Sequence, residues 1–519
     1  MTPNDASHPG PEPAPVPTPP PAVSAFSYDM AEVRKHPAYR RAQQQAREVL
    51  GIAEPGPLPE EKEQEQKQKQ AQDEDTGTVI AADPADGLYN DDRNARDFIS
   101  TCEEDVRHCV STGTWFQWSG LRWMRDPKGG GMMERARHFS RELMREAHAH
   151  PIVAERKFMV QRAQALGNMQ RLKPLLKLSR SDTRVAVPDT AVWDADPFLL
   201  GVENGVIDMR ACRYLPPQRD MMITKAAGVT FDAAAACPKW EAFIAQILPD
   251  PEVRLFMQVS AGYWLTGDTS AQCFWFLYGS GANGKSTFLE TLYRLGSGYS
   301  QRANEMLASN PKGNNTPLEL STLPGVRLLV GSEVADGMKL NEVLVKDITG
   351  GDTVSGRGHY KAFFPFRPSC KLVMYGNHRP TISGTDGGMW RRVRLVPFTT
   401  VIPFEQRNPH LQRELMAELP GILNWCLHGL AHWHAHGLPT PKAVLTATEA
   451  YREDSDPLGE FLQEVTERVP DMDQKVLLNE LYKKYGEWCE ESGRRGVLSR
   501  QSLRVRMEDR GYASKMVRM

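Results

Sequence analysis

Apolar positions along the 519-residue chain fall mostly into short runs bounded by polar or glycine-rich stretches. Residues 273–278 form an unbroken apolar run of strand length, which predicts a strand buried on both faces. Residues 287–295 then alternate apolar and polar positions with helical spacing. Two further apolar runs predict strands that each end in a polar residue: VRLLVGSEV (326–334) and KLVMYGN (371–377). WRRVRLVPF (390–398) leads into another strand. Upstream, WFQWSGLRWM (115–124) alternates aromatic and small residues and predicts a hairpin. Residues 133–169 and 169–178 predict helices carrying basic side chains. Residues 198–216 predict strands around the Asn204-Gly205 turn. Residues 239–265 and 411–436 predict helices, and 458–519 predicts a small helical or winged-helix module.

The N-terminal residues lack this patterning. The first twenty-odd are rich in Pro and Ala, and 54–76 form a charged, Gln-rich linker. Such composition buries too little apolar surface to fold, so 1–80 is expected to be a disordered tail, with a short basic helix at 31–50. Folded sequence is expected from about Asp86, divided at 86–229, 238–400, 401–454 and 455–519. The net charge of −2 gives no global basic field. No apolar run reaches the roughly 18 residues of a membrane span, and the N-terminus has no secretory pattern. The eight scattered cysteines contain no Cys-x-x-Cys pair and suit a reducing cytoplasm.

The chemistry concentrates after the first apolar run. GSGANGKS (279–286) fits the phosphate-loop pattern in its strand–loop–helix setting. Gly279, Gly281 and Gly284 permit close backbone approach. The amides of Gly279, Ser280, Gly281, Ala282, Asn283, Gly284, Lys285, Ser286 and Thr287 can then converge on phosphate at a helix N-terminus. Lys285 would reach the β- and γ-phosphates, and Ser286 would ligate Mg²⁺. The expected ligand is a nucleoside triphosphate. Glu333 closes the next apolar strand, where an acid can polarise the attacking water and stand near the metal; Ser332 precedes it at a position that is commonly Asp. Asn377 closes another strand, where its amide can orient water against the γ-phosphate. Arg391 and Arg392 precede the last strand, and either can serve as an arginine finger. Between Glu333 and Asn377, KDITGGDTVSGRGHYKAFFPF (346–366) predicts a helix ending at Gly350-Gly351 and a projecting hairpin. Arg357, His359, Tyr360 and Lys361 lie near its tip and suit nucleic-acid phosphates and bases.

Taken in order, these motifs resemble the superfamily 3 helicases, most closely the phage and plasmid primase-helicases with poxvirus-like helicase domains. NGVIDMRACRYLPP and CPKWEAFI are similar to that family's N-terminal flank, and ILNWCLHGLAHWHAHGLPTP to its C-terminal flank; the resemblance spans roughly 86–519. It implies an α/β fold: an AAA+-like P-loop NTPase core, a mixed α+β N-terminal domain and a small C-terminal winged-helix-like module. It implies ATP and Mg²⁺ as ligands, Lys285 and Ser286 as Walker A residues, Glu333 as Walker B and Asn377 as sensor 1. Arg391 or Arg392 would be the finger reaching a neighbouring subunit, and His359, Tyr360 and Lys361 would tip the translocating hairpin. The implied assembly is a homo-hexameric ring on single-stranded or forked DNA, typically moving 3′ to 5′. It would act in the cytoplasm of a bacterial host with a separate primase or polymerase, and without a membrane. The expected function is an ATP-dependent replicative DNA helicase. The alternative is an ATP-switched initiator or scaffold without processive unwinding.

Two other clusters are weighed against this. Cys426 with His428, His432, His434 and His436 suggests a metal site, but the stretch has the pattern of an amphipathic helix and lacks a closing ligand. Asp194 and Asp196 suggest a polymerising carboxylate pair, but Pro197 follows at once, and primase activity is not expected. Lys483, Lys484, Arg494, Arg495, Arg500, Arg504, Arg506, Arg510, Lys515 and Arg518 make the C-terminal segment basic, which suits DNA.

Overall fold

The computed structural model describes residues 90–303, 307–308, 320–333, 337–357, 363–382, 387–467, 475–493 and 497–515, with backbone alone at Ser332 and Glu333. The expected tail at 1–80 lies outside them. All described residues fall in one unit that begins at Gly56.

The N-terminal part opens with α1 (Asp91–Ser100), whose first turn is capped where Asn90 accepts from the Arg93 amide. Strands β1 (Val106–Cys109), β2 (Thr114–Trp118), β3 (Trp123–Asp126) and β4 (Ala186–Val187) form a sheet in the order β3-β2-β1-β4. The expected hairpin is β2–β3, closed at Trp118 opposite Trp123. Helices α2 (Gly130–Ala149), α3 (Val153–Leu166) and α4 (Met169–Ser179) follow. The run 133–169 is therefore two helices. Pro151 disfavours helical geometry at the preceding residue, and His150 has ψ 130. Phe98, Phe139, Met132 and Leu172 fill the core between α1 and these helices.

A second sheet, β5 (Leu199–Val202), β6 (Gly205–Asp208) and β7 (Arg213–Leu215), is an antiparallel meander. Val202 pairs with Gly205, so the turn residues are Glu203 and Asn204. A Cβ on Gly205 would stand 2.4 Å from the exposed Tyr214 ring, so a larger residue there has to displace that ring. Helices α5 (Pro238–Ile247) and α6 (Pro251–Trp264) replace the single expected helix, because Pro251 starts a new one capped by Asp250.

The largest sheet contains β8 (Phe274–Tyr278), β9 (Ser300–Ala303), β10 (Leu328–Glu333), β13 (Lys371–Gly376) and β14 (Val393–Pro397), all parallel, in the order β14-β8-β13-β10-β9. Between β8 and β9 lies α7 (Lys285–Gly296). Between β10 and β13 lie α8 (Glu342–Gly350), closed by left-handed Gly351 as expected, and the antiparallel hairpin β11 (Val354–Arg357) and β12 (Phe363–Phe366). The short α9 (Gly387–Trp390) precedes β14.

After the sheet come α10 (Leu411–Ala417), α11 (Leu419–His436) and α12 (Lys442–Asp454). Helices α6 and α11 cross at glycines: a Cβ on Gly262 would stand 2.3 Å from the Cys426 carbonyl, and one on Gly429 2.1 Å from that of Gln258. The tail adds α13 (Pro457–Val465), α14 (Leu478–Glu491) and α15 (Arg500–Asp509) around Phe461, Tyr485, Trp488 and Leu503. Among the described residues beyond Pro457 there is no strand, so the wing of the expected module is not among them. Nor, among the described residues, is any helix long and apolar enough to cross a membrane.

The strand N-termini of the parallel sheet hold two buried cations. Arg327 donates to the carbonyls of Leu265 at 2.8 Å and Leu199 at 2.6 Å. Lys371 donates to the carbonyls of Thr266 and Ser369. Burial, with Arg327 nearby, pushes the Lys371 ammonium down from 10.5 to about 7. Between those values the unfolded chain holds a proton that the folded chain has released, so stability from this site rises with pH. The wild-type chain is expected to gain stability over Lys371→Met as pH rises from 7 to 10.5. Chemical denaturation at both ends of that range measures the gain, and parallel pH profiles would contradict it.

Candidate nucleotide site

The loop between β8 and α7 is shaped by what packs beneath it. Gly284 has φ +80 and stands at the start of α7; a Cβ there would lie 2.6 Å from Ile247 Cγ2, the last residue of α5. A Cβ on Gly279 would lie 2.2 Å from the Phe398 carbonyl, just past β14. Ala282 takes a left-handed φ of 62 and accepts from the Ile402 amide at 2.8 Å. A Cβ on Gly281 would meet nothing within 4 Å, and Ser280, Gly281 and Ala282 are exposed. The loop is thus fixed from below by α5 and the β14 exit, with its crest open to solvent.

Lys285 is buried at 4 % exposure. Its ammonium donates to the Gly279 carbonyl at 2.7 Å, the Ser280 carbonyl at 3.2 Å, Asn283 Oδ1 at 2.8 Å and Asn377 Oδ1 at 3.3 Å. Asn283 is also buried, and its Nδ2 donates to the carbonyls of Ser280 and Phe398. The sequence marked Asn283 only as a loop position. Its amide in fact orients Lys285 with one end and ties the loop to β14 with the other.

Lys285 and Asn377 meet across 92 residues because β8 and β13 are adjacent and parallel. Tyr278 pairs with Gly376, so the loop and Asn377 leave the sheet side by side. One strand further, Glu333 pairs with Tyr375 after a shift in register that begins at Val330, which puts it at the same sheet edge. Ser286 is exposed, and with Thr287, Glu290, Arg302, Tyr375 and Gln412 it lines a groove of about 260 Å³. That is just below the ~300–1,000 Å³ usual for ligand sites. A larger groove of about 760 Å³ runs between the start of α6 and α12, past Asp250, Glu252, Lys442, Thr446 and Ala450. Its wall begins three residues after Ile247.

The two finger candidates differ sharply. Arg392 is 8 % exposed, with Nε donating to Thr349 Oγ1 at 3.1 Å and Nη1 to the Gly388 carbonyl. This guanidinium is engaged within its own chain. Arg391 is exposed. Arg394 donates to the Arg391 carbonyl at 2.8 Å, back into its own turn. In the hairpin, the Arg357 guanidinium lies 5.1 Å from the centre of the Phe363 ring, and Phe363 is 58 % exposed. His359, Tyr360 and Lys361 lie outside the described residues.

The two carboxylates set aside in the sequence, and one of the histidines, have structural partners. Asp194 accepts from the Thr224 amide and hydroxyl and the Lys225 amide. Asp196 pairs with Arg210 at 2.8 Å. His434 Nε2 is 2.9 Å from the Met209 carbonyl, and burial holds its pKa below the usual value. Among the described residues, no three His, Cys, Asp or Glu side chains are grouped to hold a metal.

Two family models match the chain: one described as D5 N terminal like at residues 95–249, and a family of unknown function at 277–392. A protein of Acanthamoeba polyphaga mimivirus named "Putative helicase L207/L206" is 28 % identical over 318 residues, covering 57 % of this chain and 33 % of its own. A protein of Frog virus 3 named "Putative helicase 022R" is 27 % identical over 286 residues, covering 51 % and 29 %. The chain thus spans about a third of the length of these viral relatives. Among solved structures, the apo A form of the NrS-1 C terminal region aligns with 69 % of this chain and 76 % of its own at 10 % identity. Its TM-score is 0.42.

Asn283→Ala would leave the Phe398 carbonyl and the Lys285 ammonium each short of a buried partner. The expected cost is about 1–3 kcal/mol of stability, read by chemical denaturation. An unchanged denaturation midpoint would show that the loop does not depend on this amide.

Proposed function

We propose that this chain, whose two matched regions are those found in phage and plasmid primase-helicase proteins, is an ATP-dependent DNA helicase of replication. The observation that carries the reading is the Lys285–Asn377 hydrogen bond at the C-terminal edge of a parallel sheet, with Glu333 one strand away. Ligands of open α/β sheets lie at that edge. The helicase names of the viral relatives agree with it.

In this reading the exposed crest from Ser280 to Ala282 and the first amides of α7 receive the triphosphate. The Lys285 ammonium exchanges its carbonyl partners for β- and γ-phosphate oxygens. The base and ribose lie in the groove between α6 and α12. Glu333 polarises the attacking water and Asn377 orients it. Ser286 offers the protein's hydroxyl to Mg²⁺, with Glu333 nearby. That ion, when bound, offsets negative charge on the phosphates. Its donor set fits, since the exposed Ser286 hydroxyl opens onto the smaller groove.

Arg391, exposed beside the sheet, supplies the finger to a neighbouring subunit of a homo-hexameric ring, and Arg392 braces it from within. The hairpin carrying Arg357 and Phe363, with His359, Tyr360 and Lys361 in the sequence between its strands, grips single-stranded DNA at a fork: cations meet phosphates and aromatic rings meet bases. Primer synthesis belongs to a separate primase or polymerase.

Lys285→Ala is expected to lose binding of a fluorescent ATP analogue. Glu333→Gln is expected to keep that binding while ATP turnover falls by about 10²-fold or more, the scale of a lost transition-state contact. Wild-type turnover in Glu333→Gln would remove its assigned role, and undiminished binding in Lys285→Ala would remove the nucleotide reading itself.

A further inference from the structure

Beyond Gly376 the segment carrying Asn377 has left its strand, and the next backbone pairing is at Thr381, which exchanges hydrogen bonds with Met338 and Leu340. Asn377 therefore sits in a short span whose placement depends on side chains. One of these is Arg379. Its guanidinium lies 5.3 Å from the centre of the Tyr278 ring and 5.2 Å from that of Tyr451, and Nη2 donates to Asp454 Oδ2 at 2.8 Å. Tyr278 is the last residue before the phosphate loop. Tyr451 and Asp454 belong to α12.

Tyr451 adds two further contacts. Its hydroxyl donates to the Pro380 carbonyl, and its ring meets Trp390 edge-on at 5.1 Å, one residue before Arg391. The ring is 3 % exposed. One compact cluster of Tyr278, Arg379, Tyr451 and Asp454 thus touches the residue before the loop, the Asn377 span and the turn that presents Arg391. None of the four belongs to the phosphate-loop motif or to the polar strand ends.

We propose that Arg379 is a positioning residue for the reaction at this site: it holds the Asn377 span in register with the phosphate loop, using Tyr451 and Asp454 of α12 as its anchor. The proposal rests on the nucleotide reading above. Among the described residues, the contacts of Arg379 are with Tyr278, Tyr451 and Asp454 and not with the loop's own polar groups, so triphosphate binding through Lys285 and the loop amides does not need it. What it sets is the position of the Asn377 amide, and with it the water and γ-phosphate geometry of the hydrolytic step. Small misplacements of such groups are costly in rate, with little effect on binding.

The test compares Arg379→Ala, Arg379→Lys and Asp454→Asn in the full chain. Arg210→Ala serves as a matched control, because Arg210 also stacks on a ring, 4.8 Å from the centre of Phe198, and pairs with a carboxylate, Asp196. Affinity for a fluorescent ATP analogue and kcat for ATP are measured on the same preparations. For Arg379→Ala, kcat is expected to fall about tenfold with affinity held within about twofold. Arg379→Lys, which keeps the charge opposite Asp454, is expected to recover part of kcat. Asp454→Asn is expected to fall between, and Arg210→Ala to keep the wild-type kcat. Equal losses in kcat and affinity, or a kcat no lower than that of Arg210→Ala, would overturn the positioning role. A wild-type chain that fails to bind the analogue would defeat the nucleotide reading and this one together. Binding and turnover in wild type with an unmoved Arg379→Ala would defeat this one alone.

Discussion

The ammonium of Lys285 is the constraint around which the site is arranged. A buried cation must be surrounded by oxygens, and here they come from the Gly279 and Ser280 carbonyls and the amides of Asn283 and Asn377. Each oxygen fixes a different part of the structure. The two carbonyls curl the loop back over the lysine. Asn283 spans to Phe398 and so ties the loop to the exit of β14. Asn377 comes from β13, and its reach depends on the parallel pairing of Tyr278 with Gly376.

The opposite end of the sheet has a different task. Arg327 and Lys371 stand at the starts of β10 and β13 and donate to carbonyls at Leu199, Leu265 and Thr266. Tyr299 packs against the Arg327 guanidinium at 4.4 Å and donates to the Lys225 carbonyl. These bonds fasten the segment around β5 to the parallel sheet. Cations paired with carbonyls rather than carboxylates carry little ionic attraction, and burial beside Arg327 lowers the affinity of Lys371 for its proton. The sheet thus has an adhesive edge, where cations serve packing, and an open edge, where a cation waits under exposed amides.

Much of the open edge was legible in the sequence, because it is written in local patterns. The glycine spacing and the apolar run before it placed Lys285 in a loop between a strand and a helix, the polar residue ending each later run placed Glu333 and Asn377 on strand ends, and β8, β10, β13 and α7 lie where those patterns put them. Other features depend on contacts far apart in the chain. Nothing local told Arg391 from Arg392; the hydrogen bond from Arg392 to Thr349, 43 residues away, separates them. Pro151 and Pro251 were visible, yet their power to split helices competed with continuous apolar spacing on either side, and proline prevailed. Arg327 and Lys371 looked like ordinary strand-flanking charges, since burial is decided by what packs over them. Arg379 was hidden for the same reason: its partners Tyr278 and Tyr451 lie 101 residues before and 72 after it.

The most direct test of the account is to image single particles of the full chain with a non-hydrolysable ATP analogue and forked DNA. The account predicts a ring around one strand, with triphosphate between Lys285 and Asn377 of each subunit and Arg391 of the next subunit facing its terminal phosphate. Nucleotide bound away from the Gly279–Ser286 loop, or a chain that holds the fork without encircling a strand, would contradict it.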